Sequence, residues 1–101
     1  MPIIHVTVLS KQDCHLCRIV YRMAQRLQQD MAFDLSKVDI DTDPHLATRY
    51  GNRLPVVLID QVESLSGKMT ERDLRRAIQR ARWRRPISRI LYRLREALTR
   101  R

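Results

Sequence analysis

The chain holds two cysteines, Cys14 and Cys17, with His15 and Leu16 between them. Two thiols at this spacing suit one of three chemistries. They can form a dithiol–disulfide couple, supply half of a metal site, or pack as two small apolar residues. A closed structural zinc site needs four ligands. The chain lacks a second cysteine pair, and His5, His15 and His45 show no ligand spacing with one another. No metal ligand is therefore assigned, and metal or iron–sulfur binding at the pair stays as an alternative reading.

The elements around the pair decide between these chemistries. Residues 3–9 (IIHVTVL) are short, β-branched and nearly continuously apolar, as in a strand covered on both faces. Residues 10–13 are polar and read as a loop. Leu16, Ile19, Val20, Met23 and Leu27 then recur at helical spacing, with Arg18, Arg22 and Arg26 on another face. Residues 33–40 read as a second strand, and Asp43-Pro44 as an N-cap followed by proline at the first helical position of a short helix ending near Gly51. Residues 54–59 (LPVVLI) form a buried-type strand with proline at its start. Asp60-Gln61 turns the chain into a partner strand over 62–65. Thr70 and Asp73 resemble a capping box opening a helix through Leu74, Ala77, Ile78 and Ala81, and Pro86 is expected to interrupt it. The order is β-α-β-α-β-β-α plus a terminal helix, with a parallel first pair and an antiparallel later hairpin.

Cys14 then falls at or just before the first turn of the first helix, where unpaired N–H groups and the helix dipole favour a thiolate. Lys11 and His15 add positive charge nearby. Cys17 lies one turn on, on the same helix face and closer to the apolar side. An exposed Cys14 nucleophile with a tucked Cys17 resolving partner is what dithiol exchange needs.

The segment Ser10-Lys11-Gln12-Asp13-Cys14-His15-Leu16-Cys17 resembles the active-site segment of glutaredoxins, including a Lys three residues before the first Cys. Together with Val38-Asp39-Ile40-Asp41, Asp43-Pro44, Arg49-Tyr50-Gly51 and Leu54-Pro55-Val56-Val57, it looks most like the small bacterial glutaredoxin-like proteins. The resemblance covers about residues 3–80. It implies an α/β thioredoxin-like fold, a mixed four-stranded sheet flanked by helices. It also implies an attacking Cys14, a resolving Cys17, and a cis Pro55 facing the cysteines. The backbone at Leu54 would pair with an extended substrate, while Lys11 would stabilise the thiolate or meet a substrate carboxylate. Two departures stand out. Arg53 occupies the place of the usual Thr, and Ser66-Gly67-Lys68 stands where Gly-Gly is expected. Arg53 and Lys68 offer charge to a glutathione carboxylate.

The resemblance thus implies a thiol–disulfide oxidoreductase acting on protein or small-molecule disulfides. It needs no bound cofactor and takes electrons from glutathione, thioredoxin or a reductase. The competing class is a non-enzymatic thioredoxin-fold binding module acting through its basic end. Other residues carry blander readings: His5 as a satisfied half-buried residue, His45 as surface, Tyr50 as packing, Asp39 and Asp41 as solvated.

Charge divides the chain in two. Residues 1–79 carry 11 Lys/Arg against 10 Asp/Glu, a net +1, and residues 80–101 carry nine Arg against Glu96, a net +8. A domain over 1–84 and an Arg-rich amphipathic helix over 85–101 follow, the latter with Ile87, Ile90, Leu91, Leu94 and Leu98 on one stripe. Docking of that stripe on the chain itself or a dimer partner is the first expectation. An anionic membrane surface comes second and nucleic acid third. No secretion signal precedes the first strand and no run is long enough to span a membrane, so the cytoplasm is expected. There, close cysteine pairs are catalytic or metal-binding more often than structural.

Overall fold

The computed structural model describes residues 3–83. The Arg-rich helix expected over 85–101 and the interruption expected at Pro86 lie outside them. The described chain runs β1 (His5–Ser10), α1 (His15–Leu27), β2 (Asp34–Asp39), a 3-10 turn (Ile40–Thr42), α2 (Pro44–Tyr50), β3 (Val56–Ile59) and β4 (Val62–Ser66). A third helix, α3, follows over 71–83.

The four strands form one mixed sheet in the order β2-β1-β3-β4. β1 pairs with β2 in parallel, and β3 is antiparallel to both β1 and β4. This is the expected β-α-β unit followed by a hairpin. The period-two alternation of β3 explains how the sheet is covered. Val57 and Ile59 enter one core with Val6, Val8, Val20, Leu27, Leu74 and Ile78, so α1 and α3 share that face. Val56 and Leu58 point the other way, to Leu9, Ile40 and Tyr50, under α2. Both faces of β3 are buried.

Capping chemistry sets the helix starts. The Asp43 carboxylate accepts the His45 N–H at 2.9 Å, with Pro44 at the first helical position. For α3, Thr70 Oγ1 accepts the Asp73 N–H and Asp73 Oδ2 accepts the Thr70 N–H, each at 3.0 Å. These backbone and side-chain bonds to Thr70 hold the Asp73 carboxyl below its ordinary pKa, with smaller help from Arg76 and Arg72. Arg26–Glu71 at 3.0 Å and Arg75–Asp30 at 2.7 Å tie α3 to the end of α1 across the surface.

Two expectations change. The second strand ends at Asp39, not at residue 40, because Asp39 Oδ1 accepts the Asp41 N–H and starts the 3-10 turn that buries Ile40. Asp39 is thus a cap and not merely a solvated carboxylate. His5 is exposed and not half-buried. It opens β1 on the face that α2 covers only at the far end, and its Nδ1 lies 3.3 Å from Asp34 Oδ2. The helix end at Gly51 does not use a left-handed glycine, since its φ is −56°. Glycine is required there by close approach: a Cβ would lie 2.5 Å from the Ala47 carbonyl oxygen.

Candidate active site

The β1–α1 junction determines where the sulfurs sit. β1 ends at Ser10, and the chain reverses through a turn closed by the Cys14 N–H donating to the Lys11 carbonyl at 3.3 Å. Asp13 takes the left-handed conformation, φ 66°, just before the helix. Aspartate tolerates that region better than most non-glycine residues. Cys14 then occupies the N-cap of α1 with extended backbone, and its Sγ accepts the Cys17 N–H at 3.2 Å. A sulfur atom thus fills the place that a Ser or Asp oxygen takes in an ordinary cap.

A disulfide joins Cys14 to Cys17, with Cα atoms 5.3 Å apart. The two sulfurs differ in setting. Cys17 is buried, at 2% exposure, while Cys14 is half-buried. A cleft of about 280 Å³ opens beside them, lined by residues 10–14, Cys17, Arg18 and Lys37. Lys11, Arg18 and Lys37 bring three cations to this cleft against the single carboxylate of Asp13. Lys37 faces α1, with its Nζ 5.4 Å from the Tyr21 ring centroid. Arg18 and Lys37 are additions to the expected set. Lys37 stands opposite Val8 in the parallel β1–β2 register. That pairing, not proximity in sequence, brings it to the cysteines.

Lys11 therefore shares a cleft with the cysteine pair. His15 is exposed on the first turn of α1 and is not among the cleft-lining residues. Arg53, Leu54 and Pro55 also lie outside the lining. The Leu54–Pro55 peptide bond is cis, Pro55 is fully buried and Leu54 packs on the Leu9–Tyr50 cluster. The Gly67 N–H reaches back to the carbonyls of Pro55, at 2.8 Å, and Arg53, at 3.2 Å, fixing the segment around Leu54 from both sides. Gly67 has φ +73°, which explains a glycine at this point. The Arg53 guanidinium is engaged with Glu63 Oε2 at 2.7 Å and lies 5.3 Å from the Tyr50 ring centroid. It braces β4 against the end of α2.

A larger hollow, about 580 Å³, lies between the β3–β4 hairpin and α3. It contains no cysteine or histidine, so the thiol chemistry belongs to the smaller cleft. Among the described residues, no group of three or more His, Cys, Asp or Glu is placed to hold a metal ion.

Comparison with known proteins agrees with this geometry. Residues 5–79 match the family described as Glutaredoxin-like domain (DUF836). An uncharacterized protein of Mycobacterium tuberculosis is 32% identical over 81 residues, covering 75% of this chain and 84% of that one. Among solved structures, a protein from X. campestris shares 30% identity with a TM-score of 0.62, covering 73% of this chain and 95% of its own. A protein from Nitrosomonas europaea shares 24% with a TM-score of 0.64, over 73% and 89% of the two chains. A Halobacterium salinarum thioredoxin, 22% identical with a TM-score of 0.58 over 75% and 72%, shares the fold. The ordered motifs, the mixed sheet and the capped cysteine pair thus converge, and the chain belongs to the glutaredoxin-like domain family of the thioredoxin-fold superfamily.

Proposed function

We propose that this protein is a thiol–disulfide oxidoreductase working by dithiol exchange through Cys14 and Cys17. The observation that carries the reading is the Cys17 N–H donated to Cys14 Sγ at the N-cap of α1. In the reduced protein, the same donor and the positive end of the helix stabilise negative charge on Cys14 Sγ. The Cys14 thiolate attacks one sulfur of a substrate disulfide. One substrate thiolate leaves and takes a proton, and a Cys14–substrate mixed disulfide forms. Cys17, deprotonated as it approaches, attacks Cys14 Sγ. The second substrate thiol leaves, and the Cys14–Cys17 disulfide carries the two electrons' worth of oxidation. A thiol reductant (glutathione or a reductase dithiol) reverses these steps and restores the pair.

Lys11 serves this cycle as a cation at the cleft, favouring the thiolate and meeting a substrate carboxylate. Leu54 offers backbone to an extended substrate beside Pro55, and Arg53 holds that side of the site through Glu63 and Tyr50. The partners are protein or small-molecule disulfides, and the cytoplasm is the compartment where such a pair is recycled. No helix among the described residues is long and apolar enough to cross a membrane.

The test is a thiol-trapping redox titration of the wild type, Cys14→Ser and Cys17→Ser. The proposal expects a reversible Cys14–Cys17 couple and a trapped mixed disulfide only in Cys17→Ser. An inert Cys14 would leave a binding module. Stoichiometric metal in the purified protein would leave the metal-site reading.

A further inference from the structure

The exposed end of α3 has a chemistry that the redox site does not use. On its inward side Leu74 and Ile78 are fully buried, with Ala77 and Ala81 packed beside them. Trp83 takes no part in that face and is 80% exposed. It lines a shallow hollow of about 490 Å³ with Arg76, Gln79 and Arg80, residues seven, four and three positions back along the helix. A large amphipathic ring is thus held open to solvent beside two guanidinium groups. Arg76 and Arg80 also border the hollow beside the β3–β4 hairpin, whose carboxylates include Asp73, bonded to Thr70, and Glu63, bonded to Arg53.

The family match ends at residue 79, and residues 80–101 carry the +8 charge excess. The sequence after Trp83 keeps adding arginines among Ile87, Ile90, Leu91, Leu94 and Leu98.

We propose that the Trp83–Arg76–Arg80 surface binds an anionic lipid bilayer, Trp83 entering the headgroup layer while the arginines meet lipid phosphates. Adsorption to an anionic interface needs apolar and cationic groups on one surface. Tryptophan is favoured in that layer because one end of its ring is apolar and the other donates a hydrogen bond. A nucleic-acid backbone would account for the arginines alone. It offers no apolar layer to receive the exposed Trp83 ring. The surface lies apart from the cysteine cleft, so the proposal stands whether or not the redox reading holds.

The chain has a single tryptophan, so fluorescence excited selectively at the indole absorption edge, where tyrosine does not absorb, reports this position. Full-length protein is mixed with phosphatidylcholine vesicles, with and without phosphatidylglycerol, and followed by co-sedimentation and Trp83 emission. The proposal expects sedimentation only with the anionic vesicles, a blue shift on binding, and loss of both in high salt. Arg76→Gln and Arg80→Gln should each weaken partitioning about fivefold. Trp83→Ser should weaken it about tenfold. All three positions are exposed, and an unchanged urea-denaturation midpoint certifies the fold of each variant. Three results would overturn the proposal. One is sedimentation without any change in emission. Another is Trp83 emission already blue-shifted in buffer and indifferent to vesicles, which means that protein covers the ring. The third is a response to a single-stranded oligonucleotide with none to vesicles, which makes the surface a nucleic-acid site.

Discussion

Cys17 caps its own partner: its backbone N–H points at Cys14 Sγ at 3.2 Å while its side chain is buried beneath. On the proposed dithiol mechanism, one residue would therefore both stabilise charge on the outer sulfur and hold the inner sulfur ready to attack it. Since the stabilising donor is backbone, Cys17→Ser should leave Cys14 activated. In that variant Cys14 is expected to alkylate with iodoacetamide at neutral pH about tenfold faster than free cysteine. A rate equal to that of free cysteine would remove the cap from the explanation.

The cleft's charge predicts a preference among substrates. Lys11, Arg18 and Lys37 line it together, so a disulfide flanked by carboxylates should be reduced faster than a neutral one. Lys37→Glu should lower kcat/KM for an acidic peptide disulfide about fivefold, with little change for a neutral peptide. Added salt should narrow the difference between the two peptides in the wild type. An equal loss on both peptides would instead point to misplacement of the cysteines.

The capping box predicts a signed pH dependence of stability. The Asp73 pKa is held below its unfolded value by bonds to Thr70. The contribution of its carboxylate is therefore present at neutral pH and is lost as the pH falls through the folded-state value. Asp73→Asn should unfold at lower urea than the wild type at pH 7, and the two curves should converge in acid below the usual aspartate range. Thr70→Ala removes the cap oxygen itself and should cost about 1 kcal/mol at neutral pH. A gap between Asp73→Asn and the wild type that persists unchanged in acid would exclude the carboxylate as its source.

Much of this fold is written in short-range pattern, and the residues show where that reading stops. The run of β-branched residues in β3, the Asp43-Pro44 start of α2 and the Thr70/Asp73 box depend on neighbours within four positions, so sequence alone reveals them. The cysteine pair is legible for the same reason, lying between a strand and a helix start. Lys37 is not, because the parallel register opposite Val8 carries it to the cleft. Arg18 was legible as a charge on the outer face of α1, but not as part of the cleft wall. Arg53 reads as a substrate contact from its place beside Leu54-Pro55. Its partner Glu63, however, sits across the hairpin, a pairing that follows from the β3–β4 turn.

Two glycines in the scaffold predict opposite kinds of damage. Gly51 has an ordinary right-handed φ of −56°, so alanine there meets no torsional penalty, yet its Cβ would press on the Ala47 carbonyl oxygen that accepts the Gly51 N–H at 3.0 Å. The end of α2 must shift, taking Tyr50 and the Leu9 cluster with it. Gly51→Ala should therefore cost about 2 kcal/mol or more. Gly67 has open space around it but a φ of +73°, so alanine meets only the torsional penalty, about 1 kcal/mol. Its N–H bonds to Pro55 and Arg53 survive if that φ is kept. Urea denaturation of the two variants separates the causes: Gly51→Ala should be the less stable. A reversed order would mean that the end of α2 yields easily and that the Gly67 link beside Pro55 is the tighter constraint.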